Sequence, residues 1–295
     1  MLTRRAFLAA AGATGVAMVL EQGEAGAVRK AGQGRLRLAI VADTHLGKTG
    51  FGDPAEGLRR AVDEINAAGV RMAIILGDLV DTGKAYEALY PQWMKMAGGL
   101  RQPFFAVPGN HDPQVFFEKH ISPAADRSEV IAGWRFVFLQ DTRLDSHDGA
   151  VTAAQVAWLA AQAAEARAGG QRVILCTHIT RHPNEKPDMG WYVRTGADEL
   201  AAWLEANRGT VAAILSGHHH CGLRGWSDAG GVHEVLVPSL CWNFDRDLSK
   251  APGFSLPEQR RGYVLADLAP ERLALCYKPL GAEALEPLVL PLAPA

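Results

Sequence analysis

Five short clusters in this sequence carry side chains able to hold metal ions. Asp43-Thr44-His45, Gly77-Asp78-Leu79-Val80-Asp81, Gly109-Asn110-His111-Asp112, Thr177-His178 and Gly217-His218-His219-His220 each close an apolar run. Alternate side chains of an extended chain share a face, so Asp43 and His45 are expected to reach one ion while Thr44 turns aside. The same period of two aims His218 and His220 together and sends His219 to the opposite face of a strand. Asp78 has two carboxylate oxygens and can bridge a pair of cations, and Gly77 lets the chain turn tightly before it. Asn110 offers a neutral oxygen, with the His111 imidazole beside it.

The elements that position these clusters are legible as apolar runs at 38–42, 72–76, 104–107, 136–139, 173–176 and 211–215. Continuous runs of this length suit strands buried on both faces, and the crevice beyond the carboxyl ends of such strands is where α/β sheets bind ligands. Helix starts are marked by Asp53-Pro54-Ala55-Glu56, Thr152-Ala153-Ala154-Gln155 and Thr195-Gly196-Ala197-Asp198, each a capping side chain three residues before an acid or amide. After His220 the texture becomes glycine-punctuated alternation through 223–226, 232–237, 262–268 and 272–277, which predicts a final set of strands, several of them antiparallel. The fold class expected is α/β, with two packed mixed β-sheets flanked by helices. The irregular stretches near 178–196 and 241–261 exceed ordinary loop length and are expected to carry specificity.

The ordered set Asp-x-His, Gly-Asp-x-x-Asp, Gly-Asn-His-Asp, His and Gly-His-x-His resembles the calcineurin-like metallophosphoesterase family, over residues 43–220. Each motif is weak alone; five in this order at strand ends are specific. The resemblance implies a binuclear centre, with Asp43, His45, Asp78 and His220 on one ion and Asp78, Asn110, His178 and His218 on the other. Oxygen and nitrogen donors without thiolate suit manganese, iron or zinc. It further implies that a bridging hydroxide attacks phosphorus in line, that His111 protonates the departing oxygen, and that Asp112 orients His111. Asp81 either supports a ligand from behind or shapes the turn at Thr82-Gly83.

Departures from relatives narrow the expectation. His45 and Asp81 stand where purple acid phosphatases replace the histidine and place a tyrosine. Asp81-Thr82-Gly83 and Asp112 differ from the protein serine/threonine phosphatase motifs, and His111 stands where lipid A pathway hydrolases use arginine. The pattern is most similar to small bacterial phosphodiesterases of the class III, cyclic-nucleotide type. A phosphomonoesterase or nucleotide phosphatase of the periplasm is the alternative, and the intact ligand set argues against a non-catalytic scaffold of the same fold.

Outside the motifs, His182, Arg194 and Asn243 are candidate contacts for the phosphate or its ester group, as is Arg181. Trp191, Tyr192 and Trp242 suit either an apolar wall beside the leaving group or core packing. His120, His147 and His233 read as surface or satisfied structural histidines.

The chain has 295 residues, 48% of them hydrophobic, enough for one large domain over 28–295. A net charge of -2 without a basic run past the first residues gives no footprint for nucleic acid, so the expected partner is a small-molecule phosphate ester. Thr3-Arg4-Arg5 precedes a charge-free stretch over 6–20, and Ala25-Gly26-Ala27 follows. This resembles a twin-arginine signal peptide over 1–27, read by the twin-arginine translocation machinery and too short to span a bilayer of roughly 20 residues. The expected location is therefore periplasmic or secreted, with no stable membrane span after cleavage. Cys176, Cys221, Cys241 and Cys276 lack any Cys-x-x-Cys spacing; Cys176 reads as a small buried hydrophobe, and a Cys221–Cys241 bridge stays open.

Overall fold

The computed structural model describes residues 33–294 apart from 82, 84, 145, 183–189, 229–230 and 245–252, and the leader read in 1–27 lies outside the described residues. Among the described residues, two large sheets face each other. The first runs β15 (Leu288–Pro291), β14 (Arg272–Pro279), β13 (Gly262–Ala269), β1 (Leu36–Val41), β2 (Met72–Leu76), β3 (Phe104–Val107). The second runs β12 (Phe254–Ser255), β10 (Arg224–Ser227), β11 (His233–Leu236), β9 (Val211–Ser216), β7 (Arg172–Cys176), β5 (Trp134–Phe138), β4 (Arg127–Ile131). A small pair joins β6 (Gly149–Ala150) to β8 (Val193–Thr195).

Both large sheets are mixed. β1, β2 and β3 are mutually parallel, and so are β5, β7, β9 and β11, while antiparallel strands complete each sheet. The continuous apolar runs are explained by burial on both faces. In β1, Leu36, Leu38 and Ile40 enter the core between the sheets, whereas Ala39 and Val41 face the helices outside. β5 and β7 do the same from the other side: Trp134, Phe136, Phe138, Ile174 and Cys176 point inward, Val137, Val173 and Leu175 outward. Cys176 is thus a fully buried apolar filler, and burial pushes its thiol well above the usual range.

Helices close the outer faces. α1 (Pro54–Ala67), α2 (Tyr86–Ala97) and α3 (Gln114–His120) cover the first sheet through Leu58, Val62, Ile65, Tyr90, Trp93 and Phe117. α4 (Ala153–Ala168) and α5 (Ala197–Ala206) cover the second through Leu159, Ala163, Leu200 and Trp203. Asp53 caps α1 by accepting the Glu56 N–H, and Thr152 with Gln155 forms a reciprocal capping box on α4. The third expected start is displaced. Thr195 ends β8, and α5 begins from Gly196 at φ 73 with no side-chain cap, because a Cβ there would meet the Val151 carbonyl oxygen at 2.0 Å.

The parallel strands deliver their carboxyl ends to one edge of the sandwich. There neighbouring strands stay bonded past their ends, Asp43 N–H to Gly77 O at 3.1 Å in the first sheet and Gly217 N–H to His178 O at 3.0 Å in the second, and Leu240 N–H to Ala42 O at 3.0 Å ties the chain after β11 to the end of β1 in the other sheet.

Candidate metal centre

All five clusters emerge at this edge. Asp43 and His45 follow β1, Asp78 follows β2, Asn110 and His111 follow β3, His178 follows β7, and His218 and His220 follow β9. Their common orientation does not come from strand pleating. Asp43, His45, Asp78, His218 and His220 all have positive φ, between 41° and 75°, which is rare for residues other than glycine and costs of order 1–3 kcal/mol each. The expected period of two is therefore replaced by left-handed turns, held by His45 N–H to Asp78 O at 2.9 Å and by Asp43 N–H to Gly77 O. His219 likewise is not on a strand face; its Nε2 lies 2.9 Å from the Trp191 carbonyl oxygen and 3.3 Å from Thr180 Oγ1.

Two ligand groups result, and they share one carboxylate. Asp43, His45, Asp78 and His220 form one, and Asp78, His178 and His218 the other, with donor atoms of each group all within 4.8 Å of one another. Asp78 Oδ2 lies 3.3 Å from His45 Nε2 and 3.4 Å from His178 Nε2, while its Oδ1 accepts the His111 main-chain N–H at 2.9 Å. Asn110 Oδ1, 3.3 Å from His178 Nε2, adds a neutral oxygen to the second group.

The proton positions fit cations. His178 Nδ1 is 2.7 Å from Leu76 O, His220 Nδ1 is 3.0 Å from Trp242 O, and His218 Nε2 is 3.0 Å from His147 O. A carbonyl only accepts, so each of these nitrogens carries the hydrogen and the other ring nitrogen presents its lone pair. His45 Nε2 and His220 Nε2 then face each other at 3.1 Å. Lone pairs and carboxylates packed this closely, at 0–5% exposure, need positive charge between them. Two small cations match that demand and the oxygen and nitrogen donor set. The field is visible at His178, where burial pushes the ring down but the Asp78 carboxylate overrides it and lifts it to about 10, whereas at His45 and His218 burial prevails and both rings are lowered.

Behind the ligands lies a second layer. Asp81 Oδ1 is 3.5 Å from His45 Nδ1, 3.4 Å from His111 Nδ1 and 3.5 Å from Lys48 Nζ. Burial works against its charge, yet the contacts with His111 and His45 hold this carboxyl well below the usual range. Asp81, rather than Asp112, is thus the acid against the His111 ring. Burial lowers His111, but Asp81 and the Asp78 charge leave it raised overall.

Asp112 departs from its expected role. Its carboxylate accepts main-chain N–H groups of Gly109 at 2.8 Å and Leu79 at 3.0 Å, and the Tyr90 hydroxyl at 2.9 Å, so it ties the second and third clusters together. Burial and the Asp78 charge push it up to about 6, against the pull of these donors. Tyr90→Phe removes one donor from a carboxylate at 3% exposure and is expected to cost about 1–3 kcal/mol. A urea midpoint equal to that of the parent would contradict this. Asp141, which the sequence did not single out, does similar work by accepting the His178 and Ile179 N–H groups at 3.1 Å each.

The centre opens into a cleft of about 320 Å³ whose floor is His45, Asp78, His218 and His220. Its walls are His111, His147, Trp191, Trp242, Phe244 and Lys48. Trp242 stacks on Phe51 at 4.5 Å and leans on His220 at 4.1 Å, so Trp191 and Trp242 are walls rather than core. His147, read as peripheral, lies inside the cleft wall; only tertiary contacts with Asn110 and Trp191 reveal it. His233 is a satisfied structural residue between Ser227 Oγ and Pro291 O, and His120 stacks on Tyr90.

The three other substrate candidates are committed elsewhere. His182 stacks on Trp226 and pairs with Glu234 and Asp228, joined by Arg181. Arg194 pairs with Asp148 at 3.1 Å and covers Tyr192. The Asn243 side chain is spent on main-chain groups of Ser239, Gly222 and Arg260. None of the three lines the cleft. Cys221 and Cys241 are both buried and not bridged to each other, and burial pushes the Cys241 thiol up to about 12.

Residues 36–222 match the family described as Calcineurin-like phosphoesterase. The chain is 28% identical over 266 residues, 83% of it and 79% of the relative, to a cAMP/cGMP dual specificity phosphodiesterase of Mycobacterium tuberculosis. It is 26% identical over 200 residues, 62% of it and 70% of the relative, to a glycerophosphodiester phosphodiesterase of Enterobacter lignolyticus. In fold it is similar to a dimetal phosphatase from Danio rerio, with a TM-score of 0.68 at 16% identity, covering 87% of this chain and 98% of that one. A purple acid phosphatase from yellow lupin gives 0.63 at 11% identity, over 88% of this chain and 54% of that one.

Proposed function

We propose, for a chain that belongs to the calcineurin-like phosphoesterase family and is a phosphoric ester hydrolase, that its preferred substrates are phosphodiesters and that it works outside the cytoplasm. The observation that carries the chemistry is the position of Asp78, within 3.4 Å of an imidazole nitrogen from each ligand group. When bound, a pair of divalent cations supplies Lewis acidity, activating water and drawing charge from the phosphoryl oxygens. Manganese, iron and zinc are the candidates by donor type.

The chain's own groups do the rest. Asp43 and Asp78 give the charge that retains the cations, and Asp81 keeps the His111 ring turned so that its Nε2 serves the leaving oxygen as a proton donor. Trp191 and Trp242 exclude water and take the organic part of the ester. Diester preference is supported by charge: among the described lining residues Lys48 alone is a permanent cation, and its Nζ is 3.5 Å from Asp81. A diester carries one negative charge where a monoester dianion carries two, so the thinly cationic wall favours the diester. Both relatives are phosphodiesterases, in keeping with this choice.

The chain reconstituted with manganese is expected to hydrolyse bis(p-nitrophenyl) phosphate faster than p-nitrophenyl phosphate, with both rates falling to background on chelation and returning on metal add-back. Metal-loaded protein inactive on both esters would sink the reading; a reversed preference would replace diester by monoester.

Export rests on Arg4 and Arg5 with the apolar stretch behind them. Arg4→Lys with Arg5→Lys is expected to trap the protein in the cytoplasm of a fractionated bacterial host, while the unaltered chain reaches the periplasm. Equal distribution of the two would remove the twin-arginine route.

A further inference from the structure

The five clusters leave His147 unassigned, yet its ring lines the cleft and lies 6.4 Å from that of His111. Hydrogen bonding fixes which of its nitrogens bears the hydrogen. Asn110 points Oδ1 into the second ligand group beside His178 Nε2, where an oxygen can serve a cation, so the group 3.3 Å from His147 Nδ1 is the Asn110 amide nitrogen. An amide nitrogen donates and does not accept, which makes His147 Nδ1 the acceptor and places the ring hydrogen on Nε2. The main chain of His147 is fixed too, its carbonyl accepting His218 Nε2 at 3.0 Å.

Trp191 secures the ring from the side. The indole stacks on it at 4.8 Å and 24°, from a backbone at φ 70 that is a strained setting for a bulky residue. Two bonds hold that strain: Trp191 N–H to Asp148 Oδ1 at 2.7 Å, and Trp191 O from His219 Nε2 at 2.9 Å. Strain maintained beside a cleft is a mark of a group being aimed.

We propose that His147 touches substrate, its Nε2–H donating a hydrogen bond to a non-bridging oxygen of the phosphoryl group across the cleft from His111. No proton changes hands; the donor stabilises charge that grows on that oxygen as the P–O bond breaks. Asn110 thereby serves twice, its oxygen directed to the metal centre and its nitrogen setting the tautomer of the donor.

The inference rests on the phosphoric ester reading, and the test separates the two. Metal-reconstituted full chain and the variants His147→Ala, His147→Gln and His147→Asn are compared in hydrolysis of bis(p-nitrophenyl) phosphate, in calorimetric binding of inorganic phosphate, and in metal content. Glutamine can place an amide nitrogen where Nε2 stands, whereas asparagine reaches only the Nδ1 position. His147→Ala is expected to lower kcat/KM by about 10- to 100-fold and to weaken phosphate binding, with metal content unchanged. His147→Gln should recover most of both losses and His147→Asn neither. An alanine variant equal to the parent, an asparagine variant as active as glutamine, or loss of metal in all three would overturn the assignment. An inactive parent would instead count against the ester reading itself.

Discussion

Asp78→Asn is expected to abolish turnover and to leave the purified chain with less than its full complement of metal. The substitution keeps the size of the side chain and one oxygen, but removes the negative charge shared by the two ligand groups. Asp78 is buried at 1% exposure between His45 and His178, so no solvent charge can replace it. His111→Ala removes a proton donor, an effect of about 10²- to 10⁴-fold on rate, and leaves every proposed ligand in place. The asparagine variant should therefore be slower than the alanine variant, by a further factor of about 10 or more. Turnover of bis(p-nitrophenyl) phosphate and elemental analysis on the same samples decide it. Full metal occupancy in Asp78→Asn would show that the two groups do not depend on this carboxylate.

The second large effect concerns a residue with no chemistry of its own. A Cβ at Gly109 would lie 2.1 Å from Asp78 Oδ1 and 2.2 Å from Asp78 N. Neither contact can be relieved by rotating a flexible side chain, because the first atom belongs to the shared carboxylate and the second to its main chain. Gly109→Ala must therefore displace the β2 turn, the β3 turn or both. A misplacement of about 1 Å costs on the order of 10²-fold in rate, and the steric strain adds roughly 1–3 kcal/mol of destabilisation. Gly83→Ala, where added bulk meets open space, is the matched control. Comparable activity in the two variants would mean that the turns tolerate movement the geometry forbids.

Much of this architecture was legible in the residues. The runs at 72–76 and 104–107 are β2 and β3 to the residue: β2 is buried throughout, and β3, although half-buried at Phe104 and Phe105, has no polar residue to blur its ends. β4 escaped notice because Arg-Ser-Glu-Val-Ile on a half-exposed edge has neither a continuous apolar run nor clean alternation. The order of the clusters was enough to foresee which acids and imidazoles gather. The period-of-two argument foresaw the grouping for the wrong reason, because a left-handed backbone leaves no trace in the pattern of residue types. His182 and Arg194 looked available in sequence, but their acidic partners Glu234 and Asp148 lie 52 and 46 positions away. His147 was the reverse case: a polar loop residue that acquires meaning only where Asn110, Trp191 and His218 surround it.

One feature of the supporting layer bears on how such a centre varies. His178, His218 and His220 are steadied by the peptide oxygens of Leu76, His147 and Trp242. Peptide oxygens are the same for every residue type, so the second partners of these rings cannot be edited by changing a neighbour's side chain. An exhaustive substitution library would register the rings as indispensable and their partners as freely replaceable, though the two are physically linked. Only chemistry that alters the polypeptide itself, such as a thioamide at Leu76, would expose the dependence.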